Sequence, residues 1–167
     1  MQLTHYNSKF NQLTFPIILI CENVTNAANV GSLFRTADAF GIEKLIFCGN
    51  PIPLGRKMTK TSRSTEKHVD FEWQEHAEDV LKKLKALDYQ IFALEIESDS
   101  KSLYEMKFEC HRPLALLIGD ENFGISERCL QLSDHSVHID MFGQNSSMNV
   151  VQATSIALYE ITKQLRG

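Results

Sequence analysis

The sequence predicts an α/β fold, a mostly parallel sheet flanked by helices. Phe15 to Cys21 and Leu114 to Ile118 are unbroken apolar runs of strand length, the pattern of strands covered on both faces. Strand-sized runs alternate along the chain with segments of helical periodicity, the order that lays helices over a parallel sheet. The first two strands and the helix between them make a βαβ unit, whose crossover is right-handed by the general rule.

After the first run, the polar stretch Glu22 to Asn29 leads into a helix with Val30, Leu33, Phe34, Ala37 and Phe40 on its apolar face and Gly41 at its end. Lys44 to Cys48 is the second strand, and a short strand near Val69 to Glu72 is the third. Glu75 to Leu87 is an amphipathic helix with Ala77, Val80, Leu81, Leu84 and Leu87 turned inward. Gln90 to Leu94 is a strand, followed by a loop carrying Glu95, Glu97, Asp99 and Lys101. The run ending at Ile118 enters Gly119-Asp120-Glu121-Asn122-Phe123-Gly124 directly, and a short helix follows from Ser126 to about Leu132. A short strand then runs from Ser136 through Ile139. The final helix carries Val150, Ala153, Ala157, Leu158, Ile161 and Leu165 on one face.

With 167 residues the chain is one domain's worth, expected as a single unit without an accessory domain. No apolar run is long enough to span a membrane, and the N-terminus lacks the charged start and apolar centre of a secretory signal, so a cytoplasmic protein is expected. Cys21, Cys48, Cys110 and Cys129 form no CxxC pair, and three of them lie in or beside apolar stretches, which points to buried reduced thiols. His135 and His138 sit at a spacing that puts them on opposite faces of a strand, so no metal is expected. The net charge of −4 argues against a generic nucleic-acid binder. Its distribution is uneven, however. Between Gly55 and Lys67 there are five cations, Arg56, Lys57, Lys60, Arg63 and Lys67, against the single Glu66. Such a run is either a solvated flexible loop or a phosphate-contacting one.

Three segments carry chemistry. In the first, Asn29 is placed to cap the helix, Gly31 permits a close approach in its first turn, and Arg35 and Asp38 follow along the same side. An arginine there can clamp a phosphate bidentately. An Arg35–Asp38 surface ion pair is the plainer reading, worth little. The second is the glycine-bounded turn from Gly119 to Gly124, which is neither G-x-G-x-x-G nor a P-loop and so disfavours dinucleotide and nucleoside-triphosphate binding. The third is the polar loop from Phe142 to Asn149, where open α/β sheets hold ligands; Ser146, Ser147 and Asn149 can equally cap the final helix.

In this order and at these separations the three segments resemble the motifs of the SPOUT methyltransferase superfamily, and more narrowly the SpoU/TrmH family of RNA ribose 2′-O-methyltransferases. The first motif is matched by Asn29, Gly31, Arg35, Thr36, Ala37, Ala39 and Gly41. The second is matched by Gly119, Glu121, Gly124, Ile125 and Ser126, the third by Ile139, Met141, Gly143, Ser147, Asn149 and Val150. The likeness runs from about Ile17 to Leu165, almost the whole chain.

The resemblance implies a C-terminal trefoil knot, S-adenosylmethionine as cofactor and a homodimer as the active unit. It implies that Leu94, Gly119, Ile139 and Met148 line the adenosine pocket. Arg35 would be catalytic and face the partner's cofactor, with Asn29, Glu121, Ser147 and Asn149 completing the site. RNA would be held by Arg35, Arg56, Lys57, Lys60 and Arg63. tRNA is favoured over ribosomal RNA, because the match, with its Arg112-Pro113 lead-in, is to the tRNA guanosine branch and only about a dozen residues precede the first strand. Methyl transfer from a sulfonium needs no metal, only a nucleophile held in line. Arginine is a poor base because it stays charged, so Arg35 is better read as an electrostatic stabiliser and phosphate clamp.

The chain departs from the family at Asp140, where proline is usual, and at Val151, where serine is usual. Asp140 is expected to place a charge beside the adenosine pocket. The alternatives are a non-catalytic RNA-binding dimer with the same fold, against which Arg35, Glu121, Ser147 and Asn149 stand intact, and an unrelated small-molecule α/β enzyme, whose fingerprints are missing.

Overall fold

The computed structural model describes residues 10–167; most of the N-terminal segment read above as non-secretory lies outside the described residues. The strands β1 (Phe15–Glu22), β2 (Ile42–Cys48), β3 (Phe71–Gln74), β4 (Gln90–Leu94), β5 (Lys101–Ser102), β6 (Leu114–Ile118) and β7 (His135–His138) form one sheet in the order β3-β2-β1-β6-β4-β7-β5. Every pairing between these strands is parallel. The helices are α1 (Ala27–Ala39), α2 (Arg56–Ser62), α3 (Ala77–Ala86), α4 (Glu127–Leu132) and α5 (Val150–Arg166).

Alternation along β1 explains why it carries no polar residue before its last. Ile17, Leu19 and Cys21 join one buried cluster with Phe34 of α1, Met58 of α2 and Leu158 of α5. Ile18 and Ile20 face the other way, into a cluster with Val80, Leu81 and Leu84 of α3 and Cys129 of α4. Removing an Ile or Leu side chain from water is worth about 1.5–3 kcal/mol, so both faces of the strand drive the layer arrangement. The chain steps outward from β1 to β3, then returns to build β4, β6 and β7 on the other side of β1. Such a reversal opens a crevice at the C-terminal edge of a parallel sheet.

Several expectations are corrected. The basic segment is not a loop: Arg56–Ser62 is a helix and Thr65–Lys67 a 3₁₀ turn, and Met58 is fully buried between them and the core. The third strand is Phe71–Gln74, two residues later than its expected span. Leu87 is 66% exposed rather than inward. The helix stops at Ala86, and Asp88 takes a left-handed conformation (φ 63°) that turns the chain toward β4, leaving Leu87 beyond the apolar face. Ile139 lies past the end of β7, and the two-residue β5 had no sequence pattern because its pairing with β7 alone creates it.

Candidate active site

A cavity of about 420 Å³ lies at the C-terminal ends of β4, β6 and β7. Leu94, Gly119, Ile139 and Met148 all line it. The volume falls in the range of small-molecule sites, and the lining mixes apolar side chains with polar backbone. Gly119 is required here: a Cβ on it would collide with the backbone of Gly124 and Ile125, because the turn folds back on itself through an Asp120–Gly124 bridge.

That turn is braced on two sides. Internally, Asp120 Oδ1 accepts the backbone N–H of Asn122 (2.8 Å) and of Phe123 (3.0 Å). From below, two strand-end carboxylates grip consecutive amides: Glu95 Oε2 accepts from Ile125 N (3.0 Å), and Glu22 Oε2 accepts from Ser126 N (2.9 Å). Glu22 also accepts the Ser126 hydroxyl at 2.6 Å, although its own side chain is buried. Glu22 and Glu95 were missed as site residues. Their signal was a lone carboxylate directly after a buried apolar run.

The three motif segments meet at one side chain. Asn149 Nδ2 donates to Glu121 Oε1 (2.6 Å) and to Asn29 Oδ1 (3.3 Å). Its Oδ1 meanwhile accepts from Val151 N (2.9 Å) and Gln152 N (3.3 Å), which caps α5. The capping reading of this loop is therefore realised by Asn149. Ser147 does not cap: its N–H and Oγ–H both donate to Asn145 Oδ1, at 3.1 and 3.2 Å, and it faces the cavity. Asn29 does not cap either. Asn26 is the N-cap of α1, accepting the Asn29 N–H at 3.1 Å, which leaves the Asn29 side chain for Asn149.

Arg35 is exposed on α1, less than two turns beyond Asn29, and does not line the cavity. Six residues of helix separate it from Asn29 by roughly 9 Å along the axis. Among the described residues neither Arg35 nor Asp38 forms an ion pair, so the plainer reading of that pair is not realised. The basic helix packs across the first turns of α1. A Cβ on Gly31 would overlap the Met58 carbonyl oxygen and Thr61 Oγ1, so the close approach that Gly31 allows is to the backbone of α2. Thr61 Oγ1 donates to Ala28 O at 2.9 Å, next to Asn29. Arg56, Lys57, Lys60 and Arg63 are all exposed on this helix and its C-terminal cap.

Asp140 does not enter the cavity. It accepts from Ser102 of β5 and sits 3.4 Å from His138 Nε2, while His138 Nδ1 meets Ser100 Oγ at 2.9 Å. The departure from proline thus staples the sheet edge. His135 instead meets Gln90 (3.2 Å), so the two histidines share no partner. Cys21, Cys48 and Cys129 are buried, and burial pushes all three thiols up, Cys48 and Cys129 to about 12. Cys110 is exposed. No helix among the described residues is long and apolar enough to cross a membrane.

Fold and site together define an α/β domain with a cavity at the sheet's C-terminal edge, opening on a junction of amides and one carboxylate. Residues 16–159 match the SpoU rRNA Methylase family. The chain belongs to that family and is a methyltransferase. A tRNA (guanosine(18)-2'-O)-methyltransferase of Thermus thermophilus is 28% identical over 148 residues, 89% of this chain and 75% of the relative. The A. aeolicus TrmH/SpoU tRNA modifying enzyme matches with a TM-score of 0.83 at 26% identity, over 93% of this chain and 78% of that one. The SpoU methyltransferase AviRb from Streptomyces viridochromogenes, solved in complex with AdoMet, matches with a TM-score of 0.79 at 25% identity, over 90% of this chain and 61% of that one.

Proposed function

We propose that this protein is an S-adenosylmethionine-dependent methyltransferase of the ribose 2′-hydroxyl in tRNA, active as a homodimer and knotted as a trefoil in its C-terminal third. One observation carries the reading: Asn149 ties Asn29 and Glu121 together at the rim of a cavity lined by Leu94, Gly119, Ile139 and Met148. The Thermus and Aquifex relatives, both named for tRNA, favour tRNA over ribosomal RNA.

The donor set fits the cofactor. Leu94, Ile139 and Met148 offer apolar walls for an adenosine, and the bare Gly119 lets backbone groups approach it. Bound there, S-adenosylmethionine would supply an electrophilic sulfonium methyl to the ribose 2′-oxygen, with the neutral thioether S-adenosylhomocysteine as the leaving group. Asn29, Glu121, Ser147 and Asn149 position the ribose, and Ser147 and the Glu121 carboxylate are within the cavity wall to meet its hydroxyls. Arg35 stabilises the oxygen as its proton passes to solvent water and holds a neighbouring phosphate. Because Arg35 stands away from its own junction, it serves the partner's site. Ile156 and Tyr159, apolar but exposed on α5, give the two copies a surface to share. Arg56, Lys57, Lys60 and Arg63 supply further phosphate contacts, a local cluster of cations on a chain of net charge −4.

Incubating the protein with bulk tRNA and methyl-labelled S-adenosylmethionine, then digesting to nucleosides, tests this directly. A labelled 2′-O-methylnucleoside is the expected product. Cofactor binding by calorimetry with no transfer to any RNA would favour the non-catalytic dimer.

A further inference from the structure

The turn from Gly119 to Gly124 does two things at once. Its Glu121 is held against Asn149 at the junction, and two residues later its Phe123 stands 90% exposed while still bordering the cavity. A phenylalanine ring left in water on a floppy loop would fold back onto the nearest apolar surface. The backbone beneath this ring is fixed, because Asp120 Oδ1 accepts the Phe123 N–H and the Gly124 N–H donates to Asp120 O at 2.8 Å. The ring is therefore presented outward on a turn that is also anchored by Glu95 through Ile125. Phe142, beside the cavity-lining Met141, is likewise 97% exposed.

We propose that Phe123 is the stacking platform for the base of the nucleotide whose ribose is methylated. The inference rests on the RNA ribose reading above and deepens it. A ribose with its 2′-hydroxyl at Asn149 and Glu121 carries its base within one nucleotide's width of that turn. A base in a duplex is stacked and its ribose hemmed in, so the reacting nucleotide must leave its stack and find another aromatic face. The surroundings suit RNA. The basic helix α2 is joined to the junction through the Thr61–Ala28 bond, so a phosphate chain can run from Lys57 and Lys60 past Asn29. Stacking is indifferent to base identity, which makes Phe123 an affinity element and leaves base choice to other groups.

The test is Phe123→Ala beside Phe123→Trp, assayed for methyl transfer to bulk tRNA with cofactor affinity and oligomeric state measured in parallel. The ring is exposed, so neither variant disturbs packing. Alanine is expected to raise KM for tRNA by about tenfold, tryptophan to restore it, and both to leave the S-adenosylmethionine Kd and the molecular mass unchanged. A wild type that transfers no methyl group to tRNA overturns both readings. An active wild type with unchanged KM in Phe123→Ala overturns this one alone. So does a weakened cofactor Kd, which would make the ring a lid on the adenosine, or a loss of dimer, which would make it a subunit contact.

Discussion

Asn149 Nδ2 lies 2.6 Å from Glu121 Oε1, while the same side chain's Oδ1 caps α5. One amide thus starts the last helix and binds the second motif to the third. Asn149→Ser keeps a capping oxygen but loses both donated bonds, and Asn149→Asp keeps the cap but sets two carboxylates against each other. Thermal melting should show Asn149→Ser within about 0.5 kcal/mol of the wild type and Asn149→Ala lower by about 1 kcal/mol. Methyl transfer should fall in all three, most in Asn149→Asp. Full activity in Asn149→Ser would show that the cap is the only role.

Among the described residues Arg35 forms no ion pair within its own chain, so Arg35→Ala should leave stability within about 0.5 kcal/mol. Turnover should drop at least about a hundredfold, with cofactor affinity nearly unchanged. If Arg35 acts across the dimer, co-refolding equal amounts of Arg35→Ala and Asn149→Asp copies should recover roughly a quarter of wild-type activity, because half the dimers are mixed and each has one intact site. No recovery would place Arg35 in its own subunit's site.

Gly31→Ala pushes a methyl into the Met58 carbonyl and Thr61. Chemical denaturation should show a loss of about 1–3 kcal/mol. Tilting α2 should also weaken RNA binding, and a gel-shift titration that matched wild type would mean the basic helix tolerates displacement.

Asp140 bonds Ser102 and pairs with His138 outside the cavity. Calorimetry on Asp140→Ala should therefore find S-adenosylmethionine affinity within about fivefold of wild type, the scale of a partly exposed pair. A larger loss would return Asp140 to the pocket.

Of the four cysteines, only Cys110 is exposed, and burial raises the pKa of the other three. A thiol-specific reagent at pH 8 should titrate one group per chain in the native protein and four after denaturation. The thiolate is the reacting form, so raising the pH toward 9 should not bring the buried three into reaction.

The sequence by itself determined the class of fold and most of the strands. The unbroken runs at β1 and β6 can only be strands buried on both faces, and burial of that much apolar surface outweighs any alternative. The resemblance carried by the three motif segments also pointed to Gly119, Ile139 and Met148 of the cavity wall and to the amides of the junction, and Leu94 was marked by its place at the end of a strand. Only the tertiary structure decided how those residues divide the work. Asn26 rather than Asn29 caps α1, because the Asn29 side chain is engaged across the fold by Asn149, 120 residues away. The basic segment is helical because Met58 finds a place in the core and Gly31 leaves room for its backbone, neither of which shows in its polar composition. β5 exists because β7 lies beside it. Hydrophobic pattern is local and readable; the pairing of polar groups brought together from distant segments is set by the packed fold.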